Sequence, residues 1–186
     1  MKKLFLLFVF ILGVISVSAQ SLAVKTNLLY DVTSTLNLGV EYRFSPKWTA
    51  EVSGNYNPFT FGDNKKMKHW LVQPEVRYWF CEAFNGHFLG VHGLGGEFNV
   101  GDMDLLVFPS FKDYRYEGKM FGAGLSYGYQ FVLGKRWNLE LSAGAGWIRT
   151  DYDKYDCPKC GKWIVSGKKN YFGVTKAAIS LIYIIK

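Results

Sequence analysis

Cysteine, proline and histidine are scarce in this chain, at three, five and three of 186 residues. Three cysteines cannot build the disulfide framework that holds small secreted scaffolds together, and three histidines leave few bases or metal ligands. Long apolar runs are equally rare. Past residue 17 no stretch is long and apolar enough for a transmembrane helix, so any membrane crossing has to be made by strands. The basic excess, 22 residues against 15 acidic, is spread along the chain. No compact Lys/Arg stripe or basic helix marks a nucleic-acid partner.

The one long apolar run, Leu4 to Val17, follows Lys2 and Lys3, and Val17 and Ala19 stand at the small-residue positions of a signal peptidase site. Residues 1–19 are therefore expected to be a signal peptide cleaved after Ala19, leaving residues 20–186 as one domain. Without Lys2 and Lys3 the basic residues fall to 20 against 15, a formal charge of +5.

What the rest of the chain has in abundance is alternation. LNLGVEYRF puts Leu36, Leu38, Val40, Tyr42 and Phe44 on one face and Asn37, Gly39, Glu41 and Arg43 on the other. WTAEVSGNY, HWLVQPEVRYWF, FGAGLSYGYQF and WNLELSAGAGW repeat the pattern, and AVKTNLLYDV (Ala23 to Val32) and NYFGVTKAAISLIYII (Asn170 to Ile185) do so less cleanly. HFLGVHGLGGEF is Gly-rich, with ambiguous faces. These segments give about eight strands of the length a tilted transmembrane strand needs.

Short links at Ser45–Lys47, Cys81–Gly86 and Leu133–Arg136 alternate with longer polar ones at about Asn57–Lys68, Asn99–Lys119 and Asp151–Lys169; the link at Thr33–Thr35 is short where a long one is due. Such alternation marks an all-β, eight-stranded, antiparallel up-and-down transmembrane barrel, with turns on the periplasmic side. Trp48, Trp70, Tyr78, Phe80, Trp137 and Trp147 lie near strand ends on the apolar face, where an interfacial girdle sits. The loops carry Lys65, Lys66, Lys68, Lys112, Arg115, Lys154, Lys159, Lys162, Lys168 and Lys169, a set able to meet lipopolysaccharide phosphates.

The same parity places Lys25, Arg43, Arg77 and Lys176 on the inner face with Glu41, Glu51, Glu75 and Glu140. Four cations and four anions in a narrow interior are expected to interlock as ion pairs that plug the lumen. The inward glycines of FGAGLSYGYQF then make room for large neighbours such as Arg43, Arg77 and Trp79 rather than cradling a phosphate. Pro74 has no N–H for a central strand, so a bulge is expected there.

A catalytic reading rests on His92, the one mid-strand histidine, with Ser126 or Ser142 as nucleophile and an inner glutamate to orient it. CPKCG offers Cys157 and Cys160 as a disulfide tightening an exposed loop, as ligands of a metal shared between molecules, or as free thiols; Cys81 belongs to a turn on the opposite side. No cofactor is called for.

TNLLYDVTSTLNLGVEY, HWLVQPEVRYWFCEAFNGHFLGVH and CGKWIVSGKKNYFGVTKAAISLIYI together resemble a Bacteroidetes family of small outer-membrane barrels, the domain of unknown function 3575. The resemblance implies an outer-membrane barrel in a Gram-negative envelope, with surface or fimbrial assembly proteins as neighbours, and carries no catalytic residue across. The expectation is a monomeric structural or docking protein. Its alternatives are a lipid-modifying hydrolase centred on His92 and a narrow pore.

Overall fold

The computed structural model describes residues 22–61, 65–101, 114–156 and 161–185. The chain forms eight antiparallel strands in a ring-like sheet: β1 (Leu22–Asn27), β2 (Leu36–Ser45), β3 (Trp48–Asn57), β5 (Lys65–Trp79), β6 (Gly86–Gly101), β7 (Arg115–Val132), β8 (Trp137–Tyr155) and β9 (Trp163–Ile185). A two-residue stub, β4 (Thr60–Phe61), pairs with the start of β5. Each strand of the ring pairs with the next in sequence, and β1 closes onto β9 with Leu22 opposite Ile185. Both ends of the ring's chain path therefore lie on the side of the short turns.

The strands lengthen around the ring, from 6 residues in β1 to 23 in β9. Much of what reads as loop between Asn99 and Lys119 and between Asp151 and Lys169 is strand, because β6 to β9 stay paired well past the ring and form a tall wall on its loop side. The first strand, expected to reach Val32, stops at Asn27 instead. Leu28–Val32 is a short helix, α1, started by the Asn27 side chain, which accepts from the Leu29 amide at 3.1 Å. The Asn37 amide and the Thr26 hydroxyl both donate to the Asp31 carboxylate, at 2.7 and 2.9 Å, and tie α1 to β1 and β2. The connection after β1 thus runs from Leu28 to Thr35, which removes the anomaly of a short link where a longer one is due.

Pro74 makes no bulge. It sits opposite Val52 in an unbroken β3–β5 register, and the β5–β6 ladder resumes with its register unchanged after two unpaired positions. A Cβ on Gly93 across the gap would only touch the Pro74 ring, at 3.6 Å from Cγ, an ordinary contact. The β2–β3 register shifts at Phe44, and the β8–β9 register shifts at Thr175, which turns its side chain inward beside Lys176. That second bulge reverses which parity of β9 faces in, which is why its faces read poorly in sequence.

Below the wall the outward positions are apolar and bare: Val91 is 62% exposed, Leu125 66% and Phe172 78%. The interior is layered. At the turn end Ala23, Trp79, Phe84, Phe88 and Ile182 form a small apolar core. Above it lie buried charged and polar groups. Inward glycines are where this interior is tightest: a Cβ on Gly128 would overlap the Phe88 ring and stand 2.9 Å from the Leu141 carbonyl oxygen. A Cβ on outward Gly95 would meet nothing within 4 Å. Gly128→Val should cost about 1–3 kcal/mol by overpacking, whereas Gly95→Val should leave the unfolding midpoint within experimental scatter. Denaturant titration of the two variants checks this, and equal losses would refute the packing account.

Candidate functional site

Glu41, Glu51 and Glu75 stand directly opposite one another on β2, β3 and β5, three carboxylates abreast inside the ring. Like charges at opposed positions repel, so the row exists only because cations are set against it. Arg77, two residues below Glu75 and fully buried, reaches all four inner glutamates. Its Nη1 lies 3.0 Å from Glu41 and 2.9 Å from Glu140, its Nε lies 3.0 Å from Glu75, and Nη2 contacts Glu51 and Glu140. Lys25 Nζ binds Glu41 at 2.6 Å, Glu51 at 3.0 Å and Glu140 at 3.1 Å. Lys176 caps Glu75 and lies 3.8 Å from Glu51.

Hydroxyls complete the set. Thr49 donates to Glu41 at 2.6 Å while accepting from the Trp79 indole at 3.0 Å, and Ser126 donates to Glu75 at 2.7 Å. The Arg77 guanidinium lies 4.4 Å over the Phe88 ring, which joins the ionic layer to the apolar core. The space beside the network, bordered by Asn55, Gln73 and Lys176, is about 30 Å³, room for a water or two. Tyr30 of α1 borders the same space, and burial holds its phenol above the ordinary value.

Seven of the eight inner charges marked from sequence meet in this network. Arg43 does not. It pairs with Thr49 at the height of Arg77, is half-buried and makes no ion pair among the described residues, because Arg77 already occupies the centre at that level. Three cations therefore serve four carboxylates.

His92 follows Glu75 in the same row, with Nε2 2.9 Å from the Thr175 hydroxyl and Nδ1 without a partner. Gly124 and Gly144 make its place, since a Cβ on either would stand 2.9 Å from His92 Cε1. Ser126 spends its hydroxyl on Glu75, and Ser142 Oγ is unpartnered, so no serine is hydrogen-bonded to the histidine. The expected pairing of His92 with Ser126 or Ser142 is thus not assembled; the hydroxyl that meets the ring is that of Thr175. His69, on the inner parity opposite Phe98, contacts the Met67 carbonyl, and His87, on the outer surface, contacts the Tyr127 hydroxyl. Cys81 is exposed in the turn between β5 and β6. Cys157 and Cys160, like Lys112 and Lys159, lie outside the described residues. Among the described residues no group of three or more His, Cys, Asp or Glu is placed to hold a metal.

One feature escaped the reading of parity. Above Trp147 the two faces of the wall exchange character: Ile148, Thr150 and Tyr152 continue the inner parity of Glu140 and Ser142, while Arg149, Asp151 and Asp153 continue the outer parity of Leu141 and Trp147. The same exchange occurs in β7, where Tyr116 and Met120 face in and Arg115, Glu117 and Lys119 face out, and in β6, where Phe98 and Val100 face in and Glu97 faces out. The inward apolar side chains line a cavity of about 450 Å³. Along β6 and β7 the alternation itself never breaks, so only a change in which parity is apolar could have revealed this.

The chain matches, over residues 5–185, the family described as "Protein of unknown function (DUF3575)". It belongs to that family. No curated protein and no solved structure matches the chain. The family match spans the strands of the ring and the wall alike.

Removing Arg77 leaves four buried carboxylates to two lysines. Arg77→Met should lower stability by about 3–5 kcal/mol, whereas Arg43→Met should stay within about 0.5 kcal/mol. Denaturant unfolding of both variants measures the difference; a tolerated Arg77→Met would mean that the network does not carry the interior.

Proposed function

We propose that this chain is a small outer-membrane β-barrel of a Gram-negative, Bacteroidetes-type envelope, monomeric and non-enzymatic, with a plugged lumen and a docking surface at its tall loop end. The observation that carries this reading is the exchange of polarity at one height around the wall. Below it the chain is apolar outside and charged inside, as lipid demands; above it the chain is charged outside, as water demands.

The aromatic residues support the same boundary. On β3 Trp48 and Tyr56, and on β5 Tyr78 and Trp70, are eight positions apart on the outward face, about 26 Å along the strand and about 20 Å of height once tilt is counted. Aliphatic Val52, Val72 and Val76 lie between. Rings cluster at the lower edge, Trp48 with Tyr78 at 5.1 Å and Trp137 with Tyr183 at 5.0 Å, and at the upper edge, Phe121 with Trp147 at 5.8 Å. Outer-membrane lipid and lipopolysaccharide are the first partners such a surface meets. Surface or fimbrial assembly proteins are the docking partners that the family resemblance suggests. Absence of a serine–histidine contact argues against the hydrolase reading, and the filled ionic layer argues against a steady pore.

Two measurements test the proposal. The mature chain, refolded from urea into detergent, should run as a compact band that shifts on boiling; solubility in plain buffer with no shift would remove the membrane reading. In planar bilayers it should show no steady conductance at neutral pH. Arg77→Ala, by opening the ionic layer, should raise conductance if it still folds by the gel-shift criterion.

A further inference from the structure

We propose that the apolar cup on the inner face of the wall binds a single-chain amphiphilic anion, its chain against Phe98, Met120, Ile148 and Tyr171 and its head held by Lys169. This goes beyond the structural role above and does not depend on it.

The cup is a cavity of about 450 Å³, within the range of small-molecule sites, and its lining is mostly apolar and aromatic. It is far too small for a lipid with several acyl chains. It also lies on the inner parity of β6 to β9, where annular lipid does not reach. Its charge is of one sign. Lys169, opposite Thr150, and Lys154, whose Nζ sits 3.4 Å over the Tyr114 ring, belong to the inner face. The acids at this height, Glu97, Glu117, Asp151 and Asp153, belong to the outer face and are engaged there by Lys119, Arg115, Arg149 and Ser166. An inner surface of these four strands that is apolar and cationic, with its carboxylates turned away, complements an anionic head on an apolar body. Leu94 and Leu71, on the same inner parity of β6 and β5, are buried.

The cup is also accessible from one side. β1 pairs with β9 only from Leu22–Ile185 to Asn27–Ser180, so above that level the edge of β9 away from β8 has no strand beside it among the described residues. A single chain can enter there or from the mouth.

The test is calorimetric titration of the mature chain in nanodiscs with decanoate and with decylammonium, probes of equal chain length that differ in head charge, after subtraction of empty discs. Decanoate should saturate at one per chain and decylammonium should not. Lys169→Glu should weaken decanoate roughly tenfold or more, the size of one charge-assisted hydrogen bond. Met120→Trp should abolish binding by filling the cup without changing charge, and the heat-shift gel reports whether both variants fold. Phosphatidate built into the disc should leave decanoate affinity unchanged. Decanoate uptake no greater than in empty discs, equal uptake of the two probes, competition by phosphatidate, or indifference to Lys169→Glu would each overturn the proposal. Saturable binding by a chain that fails the heat-shift test would keep the site and remove the membrane reading.

Discussion

Three glutamates abreast on neighbouring strands are the constraint around which this interior is arranged. Side by side they repel, and they are buried away from bulk solvent, so the chain must bring positive charge to one level from several strands at once. Arg77 does most of this because a planar guanidinium presents donors in several directions; a lysine ammonium at that position could not address four carboxylates together. The inward glycines follow from the same demand. Gly39 leaves room for the Lys25 stem, whose Cγ would stand 2.6 Å from an added Cβ, and Gly90 leaves room for the Glu75 carboxylate and the Ser126 hydroxyl. Large ionic side chains inside a narrow ring require bare neighbours.

Above this layer the demand changes sign. Once a strand leaves the level of Trp70, Phe121 and Trp147, an apolar outward residue has no reason to persist and an apolar inward one gains a concave surface to share. The backbone alternates as before, yet the chemistry of each face is inverted. The rings on the inner face then cover glycines that would otherwise leave the wall thin: the Tyr152 ring lies over Gly167 and the Tyr171 ring over Gly173. The wall is thereby stiffened without side chains from a second layer.

Much of the ring was legible in sequence because strands report their faces by parity alone. Glu41, Glu51, Glu75, Glu140, Lys25, Arg77 and Lys176 all fell on the inner face by counting, without any knowledge of register. What counting could not supply was height. Arg43 and Arg77 share a level, and only cross-strand pairing shows that one displaces the other from the centre. Parity also assumes an unbroken strand, so the bulge at Thr175 and the turn of α1 at Leu28 were illegible, the latter because LLYDV has no period of its own and obeys the Asn27 cap. Pro74 misled for the opposite reason: its missing donor is met by leaving two positions of the β5–β6 ladder unpaired, with no extra residue inserted and no change of register.

The shortness of β1 leaves a consequence for the far side of the ring. From Trp163 to Ile179 the β1-side edge of β9 would expose a long row of backbone donors and acceptors, the hazard of any edge strand. Asn27 deals with the first rung, its side chain giving to the Ala177 carbonyl and accepting from the Ile179 amide at 3.2 Å each, so that one asparagine caps α1 and terminates the ladder together. Higher up the edge carries Lys168 and Lys169 and the Gly167 and Gly173 interruptions, which disfavour flat pairing with another chain. The same edge that must be kept from aggregation is the low side of the cup. One edge of β9 left unpaired at that level leaves the inner face of the wall reachable, which a longer β1 would have closed.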